Sequence, residues 1–409
     1  MLHRISTFFG LFLALVLVFA TAEAKKLVDP QKLGAEFTVS NGGYSPDVAE
    51  LEDGGFVVVW RADFPYGVKA QRYDSGGEKV GDPIVVIEES QEFMHPVVAG
   101  LASGGFVVVN VYDDGSGLGI YAQRYAADGT PAGKRVRANS YRSNNQLYPT
   151  IAGLKNGTFV VLWSSRNQDR AYAAIVGRLF TKRGEPKGGE FRVNKTYPDI
   201  KHDRPAVAAL GKGGFIVAWN AAGSIQAQRY KPNGTKRGKE FAVNPGEAAG
   251  QLHPGVAGIA KGFVVTEALN KKDDGARVSA RRYKRNGSQA GEEMVLARTT
   301  KAFQSNQNIA GLNNGGFAVV WDGPGAVDGQ VFNARGKKRG DVFQINGSAV
   351  RSQASPAVAP YGKTGFVAVW WSGEGIKGQR FGDEPGGEDG GKTPLYGGQT
   401  ANLTANTAN

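Results

Sequence analysis

GGFVVVW at residues 54–60 is the stretch that decides the fold, because six variants of it follow along the 409 residues. Each copy is a turn with glycine followed by an apolar run that usually ends on tryptophan. The other copies are GGFVVVN 104–110, GTFVVLW 157–163, GGFIVAW 213–219, KGFVVTE 261–267, GGFAVVW 315–321 and TGFVAVW 364–370. Their phenylalanines lie 48 to 56 residues apart. This period is typical of propeller blades and not of leucine-rich, ankyrin or helical repeats.

Each repeat contains four segments with the composition of β-strands. A proline such as Pro46 opens the first segment, where a missing N–H group is tolerated. The VVVW run is the second, and because it is apolar on both faces it must be covered on both sides. The third resembles AQRY at 70–73. After a turn with Gly or Asn-Gly, the fourth resembles EFAVN at 240–244.

The two ends of the array predict a closed ring. Repeat seven stops after Phe381 and has no fourth strand, whereas residues 34–40 (GAEFTVS) match the fourth-strand pattern and precede repeat one. A ring needs this permutation, because the N-terminal strand then completes the last blade and removes a free edge. We therefore predict an all-β, seven-bladed β-propeller of four-stranded antiparallel blades, closed by strand 34–40. An open solenoid is the alternative, and it leaves the permutation unexplained.

The termini differ in composition from the repeats. Residues 1–24 resemble a secretory signal peptide, with Arg4 before an apolar stretch and Ala22-Glu23-Ala24 as the cleavage site. We assign 25–33 to an N-terminal linker, 34–381 to the propeller and 382–409 to an acidic and polar tail that we predict to be disordered. The chain has no cysteine, and its apolar runs are too short to span a bilayer. We predict a secreted protein, extracellular or periplasmic, that does not span the membrane.

The net charge of +12 is concentrated between the third and fourth strands of several repeats. The residues concerned are Lys182, Arg183, Lys236, Arg237, Lys284, Arg285, Arg335, Lys337, Lys338 and Arg339. A solvated fringe that keeps the protein soluble explains them, and so does a surface for an anionic envelope polymer. Nucleic acid is not a predicted partner, because the chain contains no recognised nucleic-acid-binding motif.

Ligand-binding residues are expected where the repeats disagree, since propellers carry function on the loops of a repeated scaffold. One variable position directly precedes the first strand, and in a closed ring its seven copies encircle one mouth of the central channel. They are Ser45, His95, Tyr148, Arg204, His253, Asn306 and Ser355. The variable loops between second and third strands rise on the same face. Polar and aromatic groups around one concave mouth predict a site for a carbohydrate or protein ligand.

Two further sets of residues lie near this mouth. Gln146, Gln251, Gln304 and Gln353 recur, with His202 in the corresponding slot of repeat four. The simplest explanation of the glutamines is that they satisfy loop backbone groups, and we add His202 to the predicted ligand-binding residues. His95, His202 and His253 invite a metal or general-base hypothesis, but their spacing is not that of metal ligands. We predict no metal, no cofactor and no catalytic residue.

Other repeated residues are predicted to be structural. The third-strand arginines recur in nearly every blade and should pack on a neighbouring blade or its tryptophan. The tryptophans that end strand two should fill space between blades. Asn110 and Glu267 break that series, and Glu267 needs a partner if it is buried.

The combination of GGFVVVW, AQRY, a glycine turn and EFxVN resembles a repeat common in secreted and surface proteins of bacteria, often in adhesin-like or calcium-binding-toxin-like chains. The resemblance covers residues 34–381 and implies an exported interaction module without a catalytic set. The chain lacks the glycine-aspartate nonapeptides that bind calcium in such toxins. A secreted binding module is therefore the leading prediction. The alternatives are a structural envelope component without a small ligand, or a propeller enzyme, a lyase or hydrolase that uses His95, His253, Tyr148 and Arg204.

Overall fold

The computed structural model consists of strands arranged as seven sheets. It describes residues 30–63, 65–88, 95–113, 115–168, 173–195, 201–245, 253–271, 275–299, 306–323, 325–347 and 354–382. Within these ranges, 28 strands form seven four-stranded antiparallel sheets, each of which is one blade. The predicted signal peptide, and the predicted tail beyond its first residue, lie outside the described residues.

The strand bounds follow the repeats, but fourth strands start and end earlier than predicted: EFAVN spans 240–244, whereas the strand of that blade spans Lys236–Ala242. Blade one comprises β2 Tyr44–Glu50, β3 Phe56–Asp63, β4 Tyr66–Tyr73 and β5 Lys79–Ile87. Blades two and three comprise β6 Val97–Gly100, β7 Phe106–Asp113, β8 Leu118–Tyr125, β9 Val136–Arg137, β10 Gln146–Gly153, β11 Phe159–Arg166, β12 Ala173–Phe180 and β13 Pro186–Arg192. Blades four and five comprise β14 His202–Ala209, β15 Phe215–Ala221, β16 Ser224–Tyr230, β17 Lys236–Ala242, β18 His253–Ile259, β19 Gly262–Lys271, β20 Gly275–Lys284 and β21 Met294–Thr299. Blades six and seven comprise β22 Gln307–Gly311, β23 Phe317–Asp322, β24 Val327–Phe332, β25 Lys338–Gln344, β26 Ala354–Tyr361, β27 Gly365–Trp371, β28 Ile376–Gly382 and β1 Gln31–Ser40.

The first strand of every blade is innermost, and these inner strands close a circle. Strand β2 contacts β6, and the series of contacts continues through β10, β14, β18 and β22 to β26, which contacts β2 again. Seven inner strands therefore enclose a central channel. The predicted seven-bladed propeller is confirmed, and the open solenoid is excluded.

Strand β1 closes the last blade as predicted. It pairs antiparallel with β28, with Phe37 opposite Gly378 and Lys32 opposite Phe381. Glycine is required at 378 because a Cβ there would lie 2.4 Å from the Phe37 ring. The strand begins at Gln31, three residues before its predicted start, because the pairing with β28 continues beyond the recognisable motif.

Among the described residues, aromatic side chains pair within every blade and join neighbouring blades at four of the seven interfaces. The marker phenylalanine stacks on the aromatic residue that ends strand three in all seven blades, as Phe56 does on Tyr73 with ring centroids 4.5 Å apart. The fourth-strand phenylalanine of the preceding blade packs on this pair, as Phe37 does at 5.3 Å from Tyr73. Phe191, Phe241 and Phe343 repeat the contact. The phenylalanine of GGF, the tyrosine of AQRY and the phenylalanine of EFxVN thus form one buried interface between blades.

The third-strand arginines also join blades. Arg72 Nη1 donates to the Asp128 carbonyl at 2.9 Å, and Arg229 Nη1 donates to the Arg285 carbonyl at 2.8 Å. Each acceptor lies in the turn of the next blade. The scaffold role predicted for these residues is supported, with a turn carbonyl as the partner of the guanidinium group.

Candidate ligand-binding mouth

The seven variable residues lie together at one end of the inner strands. Because strands alternate in direction, this end also carries the loops between second and third strands, whereas the other two turns of each blade lie on the opposite face. We call the first end the mouth, defined by the residues Ser45, His95, Tyr148, Arg204, His253, Asn306 and Ser355.

Four mouth residues have a strained backbone. Their φ angles fall between 50° and 54°, in the left-handed region that side chains with a Cβ avoid. Each precedes a proline and sits in a bulge where the inner strand shifts register against its neighbour. Bulges of this kind re-aim a side chain, and backbone strain is concentrated at functional sites. The four residues are Ser45, Tyr148, Arg204 and Ser355.

Side chains from neighbouring blades meet at Arg204. Its guanidinium carbon lies 4.9 Å from the centroid of the Tyr148 ring, in cation–π geometry. The positive charge of Arg204 also lowers the pKa of both His95 and His253, which places it near both imidazoles. The Asn306 side chain in turn lies close to His253. We call these five residues, contributed by blades two to six, the mouth cluster.

Both imidazoles of the mouth cluster are neutral at pH 7. Burial, assisted by Arg61 and Arg204, lowers the pKa of His95 to about 4. Burial and Arg204 lower the pKa of His253 to about 3, with Asn306 acting in the opposite direction. A neutral imidazole has one nitrogen that donates and one that accepts a hydrogen bond. The cluster therefore offers both kinds of partner to a hydroxyl group.

Several polar atoms of the mouth cluster lack a hydrogen-bond partner of good geometry among the described residues. All of them are buried: His95 Nδ1, Arg204 Nη1, His253 Nε2 and Asn306 Oδ1. Buried polar groups are satisfied in most proteins, so four such atoms in one cluster are unusual. They form a set of donors and acceptors that a polar ligand or ordered water can satisfy.

One buried carboxyl group is attached to this cluster. Asp322 ends β23, where one of its carboxyl oxygens accepts from the Asn306 backbone N–H and the other from Asn306 Nδ2, the latter at 3.0 Å. Burial raises the pKa of Asp322 to about 8, against the effect of these hydrogen bonds. A large fraction of this carboxyl is therefore protonated at pH 7. Asp322 belongs to a loop region that the sequence marks as variable.

His202 does not belong to the mouth cluster. Its side chain is fully buried, and its Nδ1 accepts from Trp219 Nε1 at 3.1 Å. Gln146 is also buried and donates to the carbonyls of Ser143 and Asn144, which is the loop-satisfying role expected of it. We leave both residues out of the candidate site. The other three recurrent glutamines lie outside the described residues.

Exposed aromatic residues extend the mouth near blades one and seven, and the sequence analysis did not identify them. Tyr44 is 44% exposed and its ring lies 5.6 Å from that of Trp371, while Tyr66 is 53% exposed. Ser45 and Ser355 lie on this side of the ring, away from Arg204. Their positions in the sequence could have indicated them, because Tyr44 directly precedes a mouth residue and Trp371 follows the repeat tryptophan.

Glu267, the unusual residue of blade five, has structural partners. It is 1% exposed, it forms an ion pair with Arg281, and it accepts from Ser279 Oγ at 2.9 Å. Arg281 stands where most third strands have glutamine, and it also pairs with Glu293 at 3.1 Å. Blade five thus has a buried Glu267–Arg281 ion pair where most blades have a tryptophan and a glutamine. This pair has a structural role.

The opposite end of the channel is built differently, and we call it the far end. It is formed by Glu50, Gly100, Gly153, Ala209, Gly258, Gly311 and Pro360. A Cβ on any of the four glycines would come within 2.3 Å of a carbonyl oxygen on the neighbouring inner strand. Glu50 Oε1 accepts from Asn313 Nδ2 at 2.6 Å, which links blade one to blade six. Burial raises the pKa of Glu50 to about 8.

The described residues contain no group of three or more His, Cys, Asp or Glu side chains placed to hold a metal ion. Nor does any helix in the described ranges have the length and apolarity needed to cross a bilayer.

No family model matches the chain, and no curated protein matches it. Its fold is similar to that of many solved structures. A puromycin hydrolase aligns over 82% of this chain and 51% of its own, with a TM-score of 0.50 and 15% identity. The Dos1 propeller aligns over 87% and 96%, with a TM-score of 0.47 and 10% identity. An α-L-arabinanase from Penicillium chrysogenum, complexed with arabinobiose, aligns over 85% and 98%, with a TM-score of 0.46 and 10% identity. At these identities the similarity shows the propeller fold alone.

Proposed function

We propose that the protein is a secreted or surface-associated binding module that captures a carbohydrate at the mouth. The observation that carries this proposal is the mouth cluster, whose five residues come from five blades. Four of them, all except Tyr148, present a buried polar atom without a hydrogen-bond partner of good geometry among the described residues. A carbohydrate fits better than a protein ligand because the unsatisfied atoms are both donors and acceptors, which is what vicinal hydroxyl groups require.

The exposed aromatic residues support a sugar ligand. Tyr44, Tyr66 and Trp371 present ring surface beside the mouth, where it can pack on the apolar face of a pyranose. A chain longer than one residue would then extend from the mouth cluster towards blade one.

A glycan array tests the proposal directly. The variant His95→Ala/His253→Ala should bind its glycan at least about tenfold more weakly, because it loses hydrogen bonds from both imidazoles. Thr158→Ala, in an exposed turn on the opposite face, is the control and should bind like the wild type. Binding to peptides alone would favour a protein ligand, and empty glycan, peptide and metabolite screens would favour a structural envelope component.

A propeller enzyme, a hydrolase or lyase, is the second candidate, and Asp322 is the observation that favours it. A buried carboxylic acid with a pKa of about 8 can donate a proton to a leaving oxygen. In a hydrolase, water would then add to the anomeric carbon. Release of reducing ends or of unsaturated sugars by the wild type, abolished in Asp322→Asn, would establish turnover. Capture without release identifies a binding module.

We also propose a weaker contact on the opposite face for an anionic envelope polymer. Exposed basic side chains recur there in consecutive blades, including Arg183, Arg237 and Arg285. Retention on isolated cell envelope should fall steeply as salt rises, because these contacts are exposed and screened. Retention that is absent or insensitive to salt removes this contact. Secretion itself is tested by finding the mature chain, without residues 1–24, outside the cytoplasm.

A further inference from the structure

Arg204 is a buried cation without an ion pair among the described residues. Its side chain belongs to a residue that is only 6% exposed, and its Nη1 atom is buried without a hydrogen-bond partner. Arginine remains charged in proteins, so it cannot relieve this situation by losing a proton. A buried charge is normally paired, because desolvation without compensation is strongly unfavourable.

Four described carboxyl groups at this end of the ring have partners other than Arg204 or are held in place by the backbone. Asp203 pairs with Lys201 Nζ at 2.8 Å. Asp47 Oδ2 accepts from the Val98 backbone N–H at 2.8 Å, and Asp63 Oδ2 accepts from that of Gly43 at 2.7 Å. Asp322 is held by Asn306 and is largely protonated. Asp203, Asp63 and Asp322 therefore have partners other than Arg204.

The immediate neighbours of Arg204 leave its positive charge intact. The guanidinium carbon lies 4.9 Å from the centroid of the uncharged Tyr148 ring. His95 and His253 are uncharged at neutral pH, and Arg61 adds a second positive charge near His95. The strained φ of 52° at Arg204 shows that the surrounding fold imposes this placement. The described neighbours of Arg204 therefore add positive charge or none, and no negative charge.

We propose that Arg204 binds a carboxylate of the ligand, and hence that the protein recognises an acidic glycan with uronic or sialic acid residues. The planar guanidinium group matches a carboxylate with two parallel hydrogen bonds. His95, His253 and Asn306 then bind the hydroxyl groups of the same sugar. This inference rests on the proposed carbohydrate-binding function and names the class of its ligand.

The test compares matched acidic and neutral oligosaccharides by calorimetry. The probes are short oligomers of galacturonate, glucuronate and mannuronate, a sialyl-lactose, and the methyl ester of each. We expect the full chain to bind at least one free acid about 100-fold more tightly than its methyl ester, because esterification removes the charge that Arg204 pairs. This comparison needs no variant, so it does not depend on how a substitution folds.

Two substitutions locate the effect. Arg204→Met should abolish the preference for the acid over the ester, while Arg204→Lys should retain a reduced preference, because lysine keeps the charge but not the fork. Arg237→Met removes the same charge from an exposed position at the start of β17, on the opposite face, and is the control. It should leave the preference unchanged, which separates the mouth from the basic fringe.

The possible outcomes distinguish this inference from the function it rests on. Equal binding of an acid and its ester, or a preference that survives Arg204→Met, overturns the carboxylate assignment while leaving carbohydrate binding in place. Binding of neutral glycans only has the same meaning. If no probe and no array glycan binds, the proposed function falls, and the inference falls with it.

Discussion

The two ends of the channel are made from the same seven strands, yet the residues at the two ends differ in size and in variability. At the far end, five of the seven positions are glycine or alanine, and backbone lies against backbone. At the mouth the equivalent positions carry seven side chains of five kinds, four of them on strained backbone. The comparison shows that close backbone packing restricts the residues at one end of the ring, whereas the residues at the other end vary from blade to blade.

The loops explain why the two ends differ. At the far end, short turns such as that between β2 and β3 are fixed by backbone hydrogen bonds, as from Leu51 N to Gly55 O at 2.9 Å. At the mouth, the loops between second and third strands differ in length from blade to blade. Large side chains are excluded from the first region by packing, and they are tolerated in the second, where solvent borders them.

The largest effect is expected at the far end. In Gly258→Val the new Cβ would lie 2.1 Å from the Ala209 carbonyl oxygen, so neighbouring inner strands must separate. We expect a loss of more than about 3 kcal/mol in the free energy of unfolding by urea, or no folded protein. The control is Gly189→Val, at an exposed strand position with open space around it, which should stay within about 0.5 kcal/mol of wild type. Similar values for both would show that the close approach is not needed.

A smaller effect concerns Glu50, the carboxyl group of the far end. Burial raises its pKa from 4.5 to about 8, so the folded protein keeps a proton that the unfolded chain releases. Stability from this group is therefore complete below about pH 4.5 and is lost as the pH rises through 8. Glu50→Gln should be more stable than wild type at pH 9 by a few kcal/mol, because each unit of the raised pKa corresponds to about 1.4 kcal/mol, and it should equal wild type at pH 4. Unfolding at the two pH values measures this, with Glu52→Gln as the exposed control.

An effect of about 1 kcal/mol is expected from the strained backbone of the mouth. Ser45→Gly and Ser355→Gly should each raise the free energy of unfolding, because glycine adopts their φ of 50° and 54° without a Cβ clash. Ser103→Gly, in an exposed turn with ordinary φ, is the control and should lower stability slightly. If the mouth substitutions also lower stability, the strain is not stored there.

The smallest effect concerns pH: we expect ligand binding at the mouth to be independent of pH near neutrality. The pKa values of about 4 for His95 and about 3 for His253 keep both imidazoles neutral above pH 5. Glycan affinity should therefore be unchanged between pH 5.5 and 7. Calorimetry across this range is the measurement. A fall in affinity near pH 6.5, the ordinary histidine pKa, would mean that the imidazoles are more hydrated than their burial indicates.

The mouth residues show how far prediction from sequence reaches. Their place on one end of the ring follows from repeat alignment, because each lies at or just before the start of an inner strand. Their convergence does not follow, since a ring puts His95 and His253 three blades apart. Arg204 is long enough to come near both, and Tyr148 supports it. His202 occupies a similar position in sequence but turns inward to Trp219, a choice that depends on packing.

The sequence by itself determined the repeat, the number of blades and the closure by strand 34–40, because these depend on periodic burial and on the need to remove a free edge. Only the tertiary structure decided which residues meet at the mouth, which carboxyl groups already have partners, and that Arg204 has no ion pair among the described residues. These properties depend on distances between blades that are far apart in the chain, and local sequence patterns carry no information about such distances.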